Sequence, residues 1–246
     1  MTIQWVFAFI DRPAEGFEAA SAFWSTVLKW TVSSRRGDHD EFATLLPPDG
    51  DAYVKLQAVG AGGGMHLDLA VSDVRAFVDR ARGLGAQVTA DHQGYVVLTS
   101  PGGQLFCAVP WHGEARRPAP TRSLLGATSR LDQAVIDVAP PLVEAEAEFW
   151  ASLTGWPAHR SRLDEFTVVQ QPDELPVRLM IQRIGKDRPT SGHLDLACSD
   201  RTLVRAWHEK NGATVVAEHP LWTVMRDPAG GVYCLTPRDP STGRLA

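Results

Sequence analysis

The chain has 246 residues, of which 44% are hydrophobic and 22% charged, values typical of a globular protein with a buried core. Its formal net charge is -5 and its pI is near 5.9, which argues against nucleic acid or an anionic membrane as the main partner. No apolar run approaches the roughly 18 residues that a membrane-spanning helix needs.

The N-terminal segment and the cysteines indicate the compartment. Residues 1–10 are apolar but lack the basic region and the cleavage site of a signal peptide. The cysteines are odd in number and widely spaced, which favours reduced thiols over a disulfide framework. We therefore expect a cytoplasmic protein.

Strand and helix patterns follow one another in a fixed order from the N-terminus. The order is a strand, a helix with one apolar stripe and three short strands, predicted over residues 3–10, 17–28, 31–34, 41–46 and 52–58. It restarts with elements predicted over residues 66–71, 73–82, 87–90, 95–99 and 104–109. Asp73 is the predicted N-cap of the second helix.

The second half of the chain repeats both patterns. The predicted elements cover residues 131–138, 142–153, 157–160, 166–170 and 177–182, then 193–198, 201–210, 214–217, 222–226 and 232–236. The stretch between the halves is rich in proline and arginine, as linkers often are. We predict a first domain over residues 1–112, a linker over 113–129 and a second domain over 130–246.

Single residues recur between the two halves as well. Phe23-Trp24 recurs as Phe149-Trp150, and from His66 onward each match lies 127 residues later, as in His66 and His193. Copies of this length are too long for a solenoid repeat, so the chain is a duplicated domain.

One recurring stretch is chemically unusual. His-Leu-Asp-Leu-Ala occupies residues 66–70 and again residues 193–197. Because side chains alternate along a strand, the leucines face one side and the His and Asp face the other. An ionisable pair on an inward face is unfavourable unless it is hydrogen-bonded, coordinated or hydrated. The repeat therefore predicts either a structural hydrogen-bonded pair or a functional pocket in each copy.

The modules resemble a known superfamily. Four strand-helix-strand-strand-strand modules, "LTGW" at residues 153–156 and "DPAGG" at 227–231 are similar to the vicinal oxygen chelate superfamily, and the repeated strand resembles its glyoxalase-like subgroup. That superfamily includes glyoxalase I, bleomycin-resistance proteins and extradiol dioxygenases. The resemblance implies an α+β fold of two tandem glyoxalase-like domains, each a pair of βαβββ modules. Each pair would form a cupped, incompletely closed mixed sheet with its helices outside.

The resemblance also implies where a metal ion would bind. Metal-dependent members hold a divalent cation with side chains of the first, fourth, fifth and eighth strands, and the fifth-strand position falls on His66 and His193. The first- and eighth-strand positions depart from the family pattern, since they fall on Trp5 and Cys107 in one copy and on Gln133 and Cys234 in the other. We therefore expect no cofactor and no standard catalytic metal. If a divalent metal ion binds, its ligands are His193, Gln133 and Cys234.

Strand alternation predicts which residues face each cup. The first strand would present an aromatic wall in the first copy and a polar wall in the second, so the second cup is the expected site. The predicted ligand-binding residues are Gln133, Asp137, Trp222, Thr236, His66, Asp68 and Tyr95. The predicted catalytic residues are His193, Asp195 and Cys234, because a histidine beside a cysteine can activate its thiolate. The alternative is that both cysteines are small buried hydrophobic residues.

The sequence favours a glyoxalase-like protein that binds a small organic molecule, and leaves open whether it is an enzyme. One alternative is a divalent-metal-dependent lyase, isomerase or dioxygenase acting in the second domain. Another is a non-catalytic structural or interaction module. A small-molecule ligand is the expected partner, without nucleic acid or membrane, and the fold also allows a homodimer.

Overall fold

A computed structural model describes residues 2–185 and 187–245. The first module contains β1 (Ile3–Pro13), α1 (Phe17–Leu28), β2 (Thr31–Val32), β3 (Phe42–Leu46) and β4 (Val54–Val59). The second contains β5 (Gly64–Val71), α2 (Val74–Gly83), β6 (Gln87–His92), β7 (Tyr95–Thr99) and β8 (Leu105–Pro110). A short strand, β9 (Thr121–Arg122), precedes the second copy.

The second copy has the same order of elements. The third module contains β10 (Thr128–Val138), α3 (Val143–Thr154), β11 (Ala158–Arg160), β12 (Phe166–Val169) and β13 (Arg178–Arg183). The fourth contains β14 (Ser191–Cys198), α4 (Arg201–Lys210), β15 (Thr214–Glu218), β16 (Thr223–Arg226) and β17 (Val232–Thr236). Each predicted helix and strand is present, with shifts at the ends; the first strand, for example, runs on to Pro13.

Each copy contributes one mixed sheet with open edges. The strand orders are β2-β3-β4-β1-β5-β8-β7-β6 and β11-β12-β13-β10-β14-β17-β16-β15, and β9 pairs with β10. The pairs β5–β8 and β14–β17 are parallel, whereas the hairpins that flank them are antiparallel. The predicted α+β fold with incompletely closed mixed sheets is confirmed. Among the described residues, no helix combines the length and apolar character of a membrane-spanning segment.

The helices begin and end where local chemistry favours it. The Asp73 side chain accepts a hydrogen bond from the Ala76 amide, which confirms the predicted N-cap of α2, and Asp200 caps α4 in the same way. Helix α3 ends at Gly155 in the left-handed conformation (φ 75°), which glycine adopts without strain.

The chain divides into two compact units that each combine modules from both copies. The first unit comprises Met1–Ala8, His66–Ala115 and Ala134–Gly192, and the second comprises Phe9–Met65, Arg116–Gln133 and His193–Ala246. The sequence-based domain boundaries at residues 112 and 130 stay a prediction.

The first unit is fixed by a buried carboxylate on α3. Glu146 is 0% exposed, and its Oε1 accepts hydrogen bonds from Ser100 Oγ at 2.5 Å and from Trp150 Nε1 at 2.8 Å. Its Oε2 accepts from the Gly102 amide at 2.8 Å. A Cβ at position 102 would lie 2.5 Å from Glu146 Oε2, so any other residue there would displace the carboxylate from its hydrogen-bond partners. This network holds the turn that leads into β8.

The second unit has the corresponding carboxylate on the turn instead. Oδ2 of Asp227 accepts hydrogen bonds from Trp24 Nε1 at 3.1 Å and from Nε and Nη2 of Arg12 at 2.9 and 2.7 Å. Its Oδ1 accepts from the amides of Ala229 and Gly231 at 3.0 and 2.9 Å. The network fixes the turn that leads into β17, which carries Cys234.

Candidate functional site

The second HLDLA strand is β14, and its alternation is as the sequence predicts. Leu194 and Leu196 are opposite Tyr233 and Leu235 of the parallel strand β17, and all four are buried. Asp195 is opposite Cys234 in the same register. One ligand atom each of His193, Asp195 and Cys234 lies within 4.8 Å of the other two. We call these three residues the second cluster.

The first copy contains the same arrangement. Asp68 on β5 is opposite Cys107 on β8, and His66, Asp68 and Cys107 also have ligand atoms within 4.8 Å of one another. These residues form the first cluster. The fold therefore brings the recurring His, Asp and Cys together twice.

The His–Asp contacts are too long to be hydrogen bonds. His193 Nε2 lies 3.5 Å from Asp195 Oδ1, and His66 Nε2 lies 3.6 Å from Asp68 Oδ1, whereas N–H···O bonds span about 2.7–3.2 Å. A separation near 3.3 Å is what two ligands of one tetrahedral ion show when each bond is about 2.0–2.1 Å long. In each cluster the distance therefore fits a His and an Asp that both contact one bound atom, such as a metal ion, better than a direct His–Asp hydrogen bond.

Asp195 has one satisfied and one unsatisfied oxygen. Gln133 Nε2 donates to Oδ2 at 2.7 Å, whereas the buried Oδ1 accepts no hydrogen bond from any described residue. Burial raises the pKa of Asp195, and the nearby His193 acts in the opposite direction. A buried carboxylate oxygen without a donor is unfavourable, so this atom is suited to accept a group from outside the chain.

The two clusters differ in their exposure and in their neighbours. The His193 side chain is 14% exposed, whereas that of His66 is 4% exposed. Trp5, which occupies the first-strand position in the first copy, is buried, and Gln133 in the second copy points its amide at the cluster. The second cluster is the more accessible of the two.

The other predicted site residues have contacts of their own. Asp137 is mostly buried and accepts a hydrogen bond from Arg188 Nη2 at 3.1 Å. The Thr236 hydroxyl donates to the Leu196 carbonyl at 3.0 Å and accepts from Arg238 Nε at 2.9 Å. Its hydroxyl is therefore already engaged within the protein.

Tyr95 and Trp222 occupy equivalent positions and have equivalent neighbours. His92 stacks on Tyr95 with ring centroids 4.6 Å apart, and His219 stacks on Trp222 at 4.5 Å. Both aromatic rings are half-buried.

The sequence did not mark Arg188 or the coordinating potential of Asp195. Arg188 follows β13 in a loop with no motif, so only the fold shows that it reaches Asp137 and Ser191. Asp195 was predicted as a catalytic residue, whereas the structure places it within the set of three potential metal ligands. Its signal was the His-x-Asp spacing, which puts both side chains on one face of a strand.

The donor atoms of the second cluster are of the types that bind a divalent metal ion. It offers an imidazole nitrogen, a carboxylate oxygen and a thiol sulfur, and the carboxylate oxygen is the one that lacks a hydrogen bond. Zinc accepts these three donor types and keeps a fourth position open in catalytic sites. His193, Asp195 and Cys234 would hold the ion, and Gln133 would orient the carboxylate from behind.

The architecture defines a class: a protein of tandem βαβββ modules with a buried His/Asp/Cys cluster in each copy. The model of the glyoxalase-like domain family matches residues 8–109 and again residues 133–236. The chain therefore belongs to the glyoxalase-like domain family, within the vicinal oxygen chelate superfamily, and the predicted resemblance is confirmed. No curated protein is significantly similar in sequence.

Several solved structures have a similar fold. A variant of 4-hydroxymandelate synthase from Streptomyces coelicolor is 14% identical, with a TM-score of 0.64 over 96% of this chain and 92% of that chain. The 2,2',3-trihydroxybiphenyl 1,2-dioxygenase of Sphingomonas wittichii is 15% identical, with a TM-score of 0.64 over 96% and 90%. A catechol 2,3-dioxygenase is 12% identical, with a TM-score of 0.60 over 100% and 92%. At these identities the similarity establishes the fold alone.

Proposed function

We propose that the protein binds a small organic molecule at the second cluster. The observation that carries the proposal is the buried Oδ1 of Asp195, which no described residue satisfies, beside His193 Nε2 at 3.5 Å. A ligand hydroxyl could donate to this oxygen and remove the penalty of leaving it buried and unsatisfied. The ligand class that fits is therefore a small hydroxyl-bearing molecule.

The surroundings of the cluster support an aromatic ligand. Val224 is opposite Cys234 on the neighbouring strand β16 and is half-buried, as is Trp222. Apolar side chains beside a few converging polar groups are typical of small-molecule sites. Two of the structurally similar proteins act, by their names, on trihydroxybiphenyl and on catechol. Catechol, with two adjacent hydroxyl donors, is therefore the first probe.

Catechol binding should depend on Asp195. We expect saturable binding by isothermal titration calorimetry, and at least a tenfold weaker affinity in Asp195→Asn, because the amide loses the charge that strengthens a hydrogen bond to a hydroxyl. Asp68→Asn is the matched variant in the first cluster and should bind catechol as the wild type does. Loss of binding in Asp68→Asn with retention in Asp195→Asn would instead assign the ligand to the first cluster.

One result would contradict small-molecule binding at either cluster. If catechol, benzoate and a panel of phenols all bind without saturation and leave the melting temperature unchanged, the small-molecule proposal is wrong. That result would favour the non-catalytic structural or interaction module.

A second candidate function is a metal-dependent enzyme, and the convergence of three ligand atoms favours it. One imidazole nitrogen lies within 4.8 Å of both the thiol sulfur and a carboxylate oxygen. A catalytic Cys-His-Asp relay would use the two ring nitrogens on opposite sides, so convergence on one nitrogen is typical of coordination. A bound divalent ion would supply Lewis-acid chemistry, polarising an oxygen of the substrate.

Metal binding has a test that requires no substrate. Equilibrium dialysis against zinc chloride should give one ion per second cluster, and that ion should be lost in His193→Ala. With cobalt(II) as the probe, a near-ultraviolet thiolate band should appear in the wild type and disappear in Cys234→Ser. A band that survives Cys234→Ser but disappears in Cys107→Ser would place the ion in the first cluster. Dialysis without retained zinc or cobalt would leave the metal-free proposal as the stronger one.

A further inference from the structure

One buried arginine in the second unit, Arg130, forms no ion pair with any residue that the structure describes. It lies on β10 and is 4% exposed. Its Nε has no hydrogen-bond partner among those residues, and its Nη2 donates to the Ser241 carbonyl at 3.2 Å. A buried guanidinium is unfavourable unless a negative charge compensates it.

A second guanidinium approaches the same oxygen. Arg117 Nη2 donates to the Ser241 carbonyl at 2.9 Å. Two cations therefore converge on one neutral acceptor. Burial, followed by the charge of Arg117, lowers the pKa of Arg130, as expected where two cations are close together.

The nearby carboxylates are engaged with other groups. Asp132 receives two hydrogen bonds from Arg238, at 2.8 and 2.7 Å, and so compensates that arginine. Asp239 is exposed and its Oδ1 accepts from the amides of Ser241 and Thr242 at 2.9 and 2.8 Å. Neither carboxylate forms an ion pair with Arg130 among the described residues, and the charge of Asp132 only partly opposes the lowering of the Arg130 pKa.

We propose that Arg117 and Arg130 form a binding site for a phosphate group, either as inorganic phosphate or as part of a small phosphate ester. Planar guanidinium groups match the oxygens of a phosphate through paired, charge-assisted hydrogen bonds. The anion would take the place of the Ser241 carbonyl as the acceptor between the two arginines. This site uses none of the residues of the second cluster, so it is independent of the ligand proposed there.

Equilibrium dialysis with radiolabelled inorganic phosphate tests the site directly, with sodium chloride keeping the ionic strength constant. We expect one phosphate per chain, and at least tenfold weaker binding in Arg130→Gln and in Arg117→Gln. Arg122→Gln is the matched control: it removes one positive charge from the same segment, where Arg122 is exposed and bonds to the Gly126 carbonyl. It should bind phosphate as the wild type does.

The second probe pair is glycerol 3-phosphate and glycerol. Tighter binding of glycerol 3-phosphate than of inorganic phosphate would identify an ester as the ligand, and equal binding would identify phosphate itself. Glycerol should not bind. The proposal is overturned if phosphate binding is non-saturable, or if Arg117→Gln binds as tightly as Arg122→Gln. Arg117 is only half-buried, so its variant keeps the test valid even if Arg130→Gln does not fold.

Discussion

Replacing Glu146 by alanine is expected to lower the free energy of unfolding by about 3–5 kcal/mol. The substitution leaves three buried donors without an acceptor: Ser100 Oγ, the Gly102 amide and Trp150 Nε1. Each such donor costs about 1–3 kcal/mol when water cannot replace the lost partner. Urea unfolding followed by circular dichroism measures the change, with the slope of the transition showing whether the unfolded state is altered.

Glu144→Ala is the matched control for this prediction. Glu144 lies on the same helix but is exposed, and its ion pair with Arg160 at 2.8 Å is a surface contact. Such pairs contribute about 0–1 kcal/mol. If Glu146→Ala were no more destabilised than Glu144→Ala, the buried network would not hold the first unit together.

A rescue experiment tests the same prediction more strictly, because the equivalent carboxylate of the second unit lies on the turn and not on the helix. There the carboxylate is Asp227, at the position equivalent to Ser100, and α1 has Ala20 at the position equivalent to Glu146. The double variant Ser100→Asp, Glu146→Ala would transfer that arrangement to the first unit. We expect it to recover about 1 kcal/mol or more relative to Glu146→Ala alone, since an aspartate at 100 can accept from Trp150 and the Gly102 amide.

The fold and the two clusters could be predicted from the sequence because their signals are local and occur twice. Alternation in the HLDLA strands sets which side chains share a face, and the recurrence of Cys107 as Cys234 places a thiol on the neighbouring strand in both copies. A pattern that recurs in register is difficult to produce by chance. The hydrophobic periods then predict the elements on either side.

The buried networks could not be predicted in the same way. Glu146 lies on a helix among other glutamates, and nothing in the sequence separates it from the exposed Glu144. Aligning the two copies does not reveal it either, because the carboxylate lies on a helix in one unit and on a turn in the other. The unsatisfied oxygen of Asp195 depends on distances that differ from a hydrogen bond by tenths of an ångström, which only coordinates provide.

Acid should destabilise the protein through a single buried histidine on α4. His208 is 0% exposed, its Nδ1 lies 2.8 Å from the Tyr233 hydroxyl, and its ring packs edge-on against Phe23. Burial lowers the pKa of His208 to about 3 from its ordinary 6.5. The folded protein therefore holds the neutral ring, whereas the unfolded chain binds a proton below pH 6.5. This contribution to stability is fully present above pH 6.5 and is lost as the pH falls towards 3.

The expected loss is about 1.4 kcal/mol per pH unit within this window, or about 2 kcal/mol between pH 6.5 and 5. His208→Asn removes the titration and keeps a polar side chain that can hydrogen-bond to the Tyr233 hydroxyl, so its free energy of unfolding should fall less steeply over the same range. His219→Asn, at the exposed histidine that stacks on Trp222, should keep the wild-type slope. Urea titrations at pH 6.5, 5.75 and 5 compare the three proteins. Equal slopes for wild type and His208→Asn would contradict the prediction, because a histidine held neutral by burial has to show this proton linkage.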